Sequence, residues 1–177
     1  MRNGEKKRQE SGIRNHELRI RNLNLFIIHN SMLYIAADHA GYPLKEELKK
    51  FLAEGGYEVI DLGADQLDLA DDYPDYAQKL VKEVLENEDS GGVLICGTGQ
   101  GMCIAANRFE GVRAAFIYDE FTARSAAEHL DANAVCLGAR VTDAELAKKI
   151  VKIWLDTEFS GEERHRRRLE KIEEIAE

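Results

Sequence analysis

The segment Val93-Leu-Ile-Cys-Gly-Thr-Gly-Gln-Gly101 decides the fold of this chain. An apolar, β-branched run that ends at Cys96 is typical of a buried strand. Three glycines then alternate with Thr98 and Gln100, and residues 102–107 have the composition of a helix. A glycine-rich turn between a strand and a helix points several backbone N–H groups at one place, with the helix dipole behind them. The segment therefore predicts an anion site with a cysteine at its edge, where a thiolate is favoured.

On both sides of this segment, short apolar runs alternate with amphipathic stretches. The sequence predicts five strands, over residues 33–37, 57–62, 93–96, 112–118 and 134–137. It predicts six helices, over residues 43–54, 76–85, 100–108, 120–129, 141–155 and 162–176. Pro43 suits the first position of a helix, and Thr142 or Asp143 is the expected cap of the fifth helix. This alternation predicts an α/β fold in which a parallel sheet is covered by helices on both faces.

Charge and composition exclude several classes of function. The chain has 177 residues, enough for one domain, and a net charge of −9. We expect no nucleic-acid partner, because there is no large basic surface to neutralise phosphates. We expect no membrane partner either, since residues 25–28 form the longest apolar run near the start and are too few to span a bilayer. The three cysteines form no C-x-x-C pair, which predicts a reducing, cytoplasmic location without a disulfide framework.

The first 31 residues differ from the rest of the chain. They hold seven basic and three acidic residues and show no clear periodicity. The pattern becomes regular at Met32, so we expect a basic leader over residues 1–31, either disordered or an artefact of the assigned start, and one domain over residues 32–177. The alternative for the leader is an additional helix around residues 18–28.

Polar side chains follow four of the predicted strands. In parallel sheets, ligands bind beyond the carboxyl ends of the strands. That rule selects Asp38 and His39, residues 96–101, Asp119, and Arg140. The Asp38–His39 pair suits proton transfer or phosphate binding, and the competing explanation is a surface pair that only caps a helix.

The glycine loop has two competing interpretations. A dinucleotide site needs G-x-G-x-x-G after the first strand, with an acidic residue about twenty positions on. Gly97, Gly99 and Asp119 fit that pattern, but Met102 occupies the third glycine position and the loop follows the third strand. A smaller anion, such as an enediolate or a phosphate, fits the tight G-x-G-x-G loop better.

Several candidate residues have ordinary structural explanations. Cysteine is often a small buried hydrophobic residue, which is what we expect of Cys103 and Cys136 but not of Cys96 at a strand end. Thr98 is either a hydroxyl donor to a substrate or a helix cap. His129 stands where a helix ends, and such a histidine is more often a cap than a catalyst. The arginines near residues 164–168 form either a solvated face or a phosphate site.

Taken together, these features resemble the ribose-5-phosphate isomerase B family, which includes the galactose-6-phosphate isomerase subunits. The resemblance covers residues 32 to about 175, and six motifs match in order. They are Ala37-Asp38-His39-Ala40-Gly41; Asp72-Tyr73-Pro74; Cys96-Gly97-Thr98-Gly99-x-Gly101 with Ile104-Ala105-Ala106-Asn107; Gly111-Val112-Arg113-Ala114; Gly138-Ala139-Arg140; and Gly161 through Arg164-His165 to Arg168.

The resemblance implies a three-layer Rossmann-like fold with five parallel strands, and a homodimer or homotetramer in which the C-terminal helix packs on a partner subunit and active sites are shared. It implies metal-free isomerisation of a phosphorylated sugar through a cis-enediolate, without a cofactor, as in the pentose phosphate pathway. Cys96 would be the base, Thr98 and the Gly97, Gly99 and Gly101 amides would hold the enediolate, and Asp38 and His129 would assist ring opening. The implied substrate contacts are Tyr73 for the sugar and His39, Arg140, Arg164 and Arg168 for the phosphate.

One position departs from the family pattern. Leu130 follows His129, where the family commonly has an asparagine that contacts the substrate. Asn107 or Asn133 could replace that amide. The departure keeps open other substrates of four to six carbons, such as allose or galactose 6-phosphate, and a catalytically silent sugar-phosphate-binding protein.

Overall fold

The computed structural model describes residues 32–87 and 89–176, so the basic leader and its possible helix lie outside the described residues. All five predicted strands and six predicted helices are present within this part of the chain. They are β1 Met32–Ala37, α1 Tyr42–Glu54, β2 Glu58–Asp61, α2 Tyr73–Glu86, β3 Gly91–Cys96, α3 Gln100–Ala106, β4 Ala114–Phe116, α4 Glu120–Glu128, β5 Ala134–Gly138, α5 Ala144–Asp156 and α6 Glu163–Ala176.

Most predicted boundaries differ from those in the structure by one to three residues, and the physical cause is visible for two elements. The fifth helix starts at Ala144 and not at residue 141, because the Asp143 carboxylate accepts a hydrogen bond from the Leu146 N–H and caps the helix there. The fourth strand is shorter than predicted. The Arg113 N–H donates to the side chain of Asn133 and not to a neighbouring strand, and β4 begins only at Ala114.

The five strands form one parallel sheet in the order β2-β1-β3-β5-β4. From β1 the chain crosses to β2 on one side, and from β3 it crosses to β4 at the other edge and then returns to β5, which lies between them. The carboxyl ends of β1 and β3 therefore lie side by side where the strand order reverses, which is where open α/β sheets bind ligands.

Helices cover both faces of the sheet and make it a three-layer fold. Apolar residues of α1, α4 and α5 pack on one face, and those of α2 and α3 pack on the other. Trp154 on α5 is only 2% exposed, and its indole N–H donates to the Ala132 carbonyl, so its polar atom is satisfied inside the core. None of the helices in the described residues has the length and apolar character needed to cross a bilayer.

The C-terminal helix α6 is held to its own chain at both ends. The Ser160 N–H just before it donates to the Glu128 carbonyl at the end of α4. Towards the other end, Glu173 pairs with Arg113. Ile175 is nevertheless 83% exposed, so one face of α6 is left without a covering partner in the single chain.

Candidate active site

Cys96 ends β3 at the centre of the sheet edge. The side chain is buried, and its Sγ accepts a hydrogen bond of 3.2 Å from the Gly99 N–H. Gly99 has a φ of 77°, and a Cβ there would come within 2.6 Å of the Phe116 ring, so the turn needs glycine. The loop thereby directs a main-chain donor at the sulfur.

Thr98 stands exposed in the middle of the same loop. Its hydroxyl makes no hydrogen bond to any residue that the structure describes, and it does not cap α3, whose N-cap is Gly99. The cap explanation for Thr98 is therefore wrong. The hydroxyl is free to donate to a ligand held by the loop.

The loop after β1 packs directly against the end of β3. The Asp38 N–H donates to the Ile95 carbonyl, and a Cβ on Gly41 would approach that carbonyl to 2.6 Å. The Asp38 carboxylate is buried and accepts a hydrogen bond of 3.0 Å from the Gly41 N–H. These contacts hold a carboxylate at the strand end that adjoins Cys96.

His39 has a partner that the sequence did not reveal. Oδ1 of Asp71 accepts a 3.1 Å hydrogen bond from the His39 N–H and lies 2.6 Å from Nδ1 of the imidazole. Asp71 belongs to the loop between β2 and α2, 32 residues away along the chain. Two adjacent aspartates before Tyr73 were the only signal, and nothing in their spacing points to His39.

Tyr73 and Arg140 border the glycine loop on two sides. A Cβ on Gly101 would come within 2.7 Å of the Tyr73 ring, so this ring lies against the start of α3. A Cβ on Gly97 would lie 3.1 Å from the Arg140 guanidinium, and the Arg140 N–H donates to the Gly97 carbonyl. A hydroxyl-bearing ring and a cation thus flank the loop that follows Cys96.

A second group of predicted site residues lies at the end of α4. The imidazoles of His129 and His165 stack with ring centroids 4.4 Å apart and planes within 4° of parallel. Arg164 donates from Nε to Nε2 of His165 and pairs with Glu162. Burial, assisted by Arg164 and His129, lowers the pKa of His165.

Within the described residues of one chain, the two groups make no direct contact with each other. Among residues 32–87 and 89–176, no hydrogen bond, ion pair or ring contact joins His129, Arg164 or Arg168 to the loop after Cys96. The structure therefore brings together Asp38, His39, Tyr73, Cys96, the loop glycines, Thr98 and Arg140, and it places His129 against His165, with Arg164 beside them.

Asn107, Asn133 and Asp119 have structural roles. The Asn107 amide joins α3 to β4, because Nδ2 donates to the Cys103 and Ala114 carbonyls and Oδ1 accepts from the Ala114 N–H. Asn133 is likewise engaged with the Gly111 carbonyl and the Arg113 N–H. Asp119 caps α4, because its Oδ1 accepts from the Thr122 N–H, so one oxygen of the carboxylate that a dinucleotide ribose would need is already engaged.

The other two cysteines differ from each other. Cys136 is fully buried, and its hydrogen bond with Cys103, together with burial, raises its pKa well above the usual value. Cys103 is only partly buried, and its pKa is lowered, chiefly by the hydrogen bond with Cys136. Cys136 behaves as the expected core residue, whereas Cys103 is more exposed than the sequence suggested.

Potential metal ligands do not cluster in the part of the chain that the structure describes. Within the described residues, no cluster of three or more histidine, cysteine, aspartate or glutamate side chains is arranged to hold a metal ion. What the site does present is a thiol, a carboxylate, a hydroxyl and main-chain donors around one loop. Such groups can move protons and stabilise negative charge that develops on oxygen.

Fold and site together define a Rossmann-like α/β protein equipped for acid–base chemistry at the reversal of its strand order. A family model described as Ribose/Galactose Isomerase matches residues 33–172. The chain belongs to this family.

Named relatives of this chain support its assignment to the family. The chain is 44% identical over 138 residues to ribose-5-phosphate isomerase B of Escherichia coli, covering 78% of this chain and 91% of that protein. It is 41% identical over 127 residues to D-erythrulose-4-phosphate isomerase of Pectobacterium atrosepticum, covering 72% and 84%. The crystal structure of a ribose 5-phosphate isomerase from Thermotoga maritima superposes with a TM-score of 0.78 at 47% identity, covering 81% of this chain and 98% of that one.

Proposed function

We propose that this chain is an aldose–ketose isomerase of phosphorylated sugars, which interconverts ribose 5-phosphate and ribulose 5-phosphate through a cis-enediolate. The observation that carries the proposal is the Cys96 thiol, which faces a glycine loop at the adjoining ends of β1 and β3. The family membership supports the same reaction class. The three cysteines of the chain are all free, which fits a cytoplasmic enzyme of the pentose phosphate pathway.

The proposed chemistry needs one base and one stabilised oxyanion. In the open-chain aldose, the Cys96 thiolate removes the proton on C2, and the electron pair of that C–H bond forms the C1–C2 double bond of the enediolate. Negative charge develops on O1, where Thr98 and the loop amides donate hydrogen bonds. The thiol then returns the proton to C1, the proton on O2 passes to O1 through solvent or a neighbouring group, and the ketose results with a hydroxyl on C1. Asp38 and His129 assist the preceding ring opening.

The phosphate end of the substrate requires cations. Arg140 lies over Gly97 beside the base, and His39 lies in the loop after β1. Arg164 and Arg168 on α6 complete the proposed phosphate site, since guanidinium groups bind phosphate oxygens in pairs. Tyr73, whose ring lies against Gly101, contacts the sugar.

We further propose a homodimer, or a homotetramer of such dimers, in which His129, Arg164 and Arg168 serve the active site of the neighbouring subunit. The absence of direct contact between these residues and the loop after Cys96, among the residues that the structure describes, supports this arrangement. Exposed apolar side chains supply a surface for such contact, including Phe121 at 74% exposure and Ile175 on α6. Residues 32–177 form the isomerase domain in this proposal.

The identity of the sugar depends on Leu130. This side chain is 44% exposed beside His129 and offers no hydrogen bond to a substrate hydroxyl. Four-carbon and six-carbon sugar phosphates, including allose and galactose 6-phosphate, are therefore the alternative substrates. A relative named as a D-erythrulose-4-phosphate isomerase supports inclusion of the four-carbon class. A panel of sugar phosphates, assayed with wild type and Leu130→Asn, identifies the substrate.

Replacement of the thiol tests the proposed function. We expect Cys96→Ser to lower kcat by roughly 10²–10⁴-fold, because a serine hydroxyl is a far weaker base, while the affinity for sugar phosphate stays within about threefold. Cys103→Ser is the matched control and keeps its activity. Coupled assays measure turnover, and calorimetry measures binding. Binding without turnover in the wild-type protein, over the whole panel, would instead identify a silent sugar-phosphate-binding protein.

A further inference from the structure

Asp71 is the strongest feature of the site that the proposed chemistry leaves unused. Its carboxylate is almost completely buried, with 6% of the side chain exposed. Oδ1 makes two contacts with His39, and Oδ2 is buried as well. A buried carboxylate is costly unless its oxygens are paired, so the two contacts with His39 are what make the burial of Asp71 tolerable.

The geometry decides which imidazole nitrogen carries a proton. A carboxylate oxygen only accepts hydrogen bonds, so the 2.6 Å contact requires a hydrogen on Nδ1 of His39. The His39 N–H donates to the same oxygen at 3.1 Å, and this second hydrogen bond fixes the carboxylate relative to the ring. Nε2 is then the only ring nitrogen left for a ligand.

The contact also fixes one loop against another. His39 follows β1 and is partly exposed, whereas Asp71 closes the loop between β2 and α2. Asp71 has a second neighbour in Tyr76, whose pKa is raised by burial and then by the Asp71 charge. The carboxylate is therefore held from the α2 side while it holds the imidazole on the β1 side.

We infer that Asp71 is a positioning residue, which holds His39 with Nδ1 protonated and Nε2 directed to the phosphate of the substrate. The inference rests on the proposed function in one respect, that His39 contacts the phosphate. When the substrate binds and Nε2 takes a proton from solvent or from the phosphate, Nε2 donates to a phosphate oxygen while Nδ1–H stays on Asp71, and the ring carries both protons. Its positive charge then lies between two anions, the carboxylate and the phosphate.

Three variants separate positioning from a merely structural role. Asp71→Ala removes both hydrogen bonds to His39. Asp71→Asn keeps an acceptor, because the His39 N–H still orients the amide oxygen towards the ring. Asp65→Ala is the matched control, since this exposed aspartate lies in the same loop and its side chain contacts neither His39 nor the glycine loop.

The first readout is the tautomer of His39, measured without substrate by ¹⁵N NMR of histidine-labelled protein, with His39→Gln to assign the signal. We expect the Nδ1–H form in wild type, Asp65→Ala and Asp71→Asn. We expect a shift to the Nε2–H form, which free imidazole side chains prefer, in Asp71→Ala. An Asp71→Ala spectrum identical to that of wild type overturns the inference.

The second readout is kinetic. We expect Asp71→Ala to raise KM for the sugar phosphate about tenfold with kcat within about twofold, and Asp71→Asn to lie between it and wild type. Inorganic phosphate, used as a competing ligand, should lose affinity by a similar factor. A fall in kcat with KM unchanged, or a loss of folded protein with normal kinetics in the remainder, would mean a structural role and overturn the inference.

Failure of the proposed function gives a different result. If wild type isomerises no sugar phosphate, the tautomer and the binding of inorganic phosphate still report on Asp71. A tautomer shift with weaker phosphate binding in Asp71→Ala then supports the positioning role, even though the reaction class is wrong.

Discussion

Arg140 and Arg164, which we propose bind the phosphate of the substrate, lie in different parts of the fold. The Arg140 guanidinium lies over Gly97 and is positioned by the backbone hydrogen bond that joins residue 140 to the glycine loop. Arg164 is exposed on the first turn of α6 and is paired with Glu162. An exposed pair of this kind contributes little to stability, so the side chain is available for a ligand at little energetic cost.

We predict that Arg164→Ala raises KM more than it lowers kcat. The loss of a charged hydrogen bond to phosphate corresponds to about 1–3 kcal/mol in kcat/KM. Arg168→Ala should behave in the same way. Arg167→Ala is the matched control on the same helix, because its side chain is exposed and has no role in the proposed site. Steady-state kinetics over the substrate panel check this, and unchanged KM values in both variants would remove α6 from the site.

Single residues also mark the limit of prediction from sequence. Cys96, the loop glycines and Asp38 lie where the strand pattern placed them, because their positions follow from local order along β1 and β3. Asp71 could not be found in that way, since its contact with His39 depends on how two loops fold over the sheet edge. The two asparagine candidates, Asn107 and Asn133, likewise donate to backbone carbonyls that only the folded chain brings near.

The loop that carries Asp71 is held at its base by a buried lysine on α1. Lys45 has no exposed surface, and its Nζ donates to Oδ2 of Asp61 at 2.5 Å and to the Ala64 carbonyl at 2.9 Å. Lys49 donates to the same carboxylate. Burial opposes ionisation of Asp61, but these two lysines and the Gly63 N–H outweigh it and lower the pKa of this carboxyl.

This cluster predicts a loss of stability in acid. Because the folded pKa of Asp61 is below its ordinary value of 3.8, the contribution is present above pH 3.8 and is lost as the pH falls through the folded value. We expect Asp61→Asn to lower the free energy of unfolding by about 3 kcal/mol at pH 7, since it removes one of the two carboxylates that pair with buried Lys45 and leaves only Glu46. The difference from wild type should shrink below about pH 4.

Urea unfolding at several pH values measures this effect, with Asp65→Asn as the control from the exposed part of the loop. A difference between Asp61→Asn and wild type that stays constant from pH 7 to pH 3 would contradict it.

The helices themselves were easier to predict than such a cluster. The apolar stripes of α1, α2 and α5 are visible in sequence, whereas the pairing of Lys45 with Asp61 joins a helix to a strand end that the stripe does not specify.

In the proposed dimer, each active site contains residues from both chains. Cys96 and Arg164 would then meet only across a subunit interface, which a two-fold symmetric dimer repeats twice. Light scattering of the purified protein should accordingly give a dimer or tetramer mass.

Mixing two defective variants tests the shared sites. Cys96→Ser and Arg164→Ala each damage both sites of a homodimer. In a mixed dimer, one site carries both substitutions and the other carries neither. We expect co-expression to restore about a quarter of wild-type kcat/KM at substrate concentrations well below KM, because half the dimers are mixed and half their sites are intact. Activity equal to the average of the two separate variants would place each site within one chain.

The central position of β3 has a further consequence for how the chain acquires activity. Ala37 of β1 pairs with Ile95 of β3, and Cys96 of β3 pairs with Gly138 of β5. β3 must therefore pair with one strand about 60 residues earlier in the chain and with another about 40 residues later. Such non-local parallel pairing is slow to form. Refolding from denaturant should therefore recover helical signal early and turnover only in the final kinetic phase.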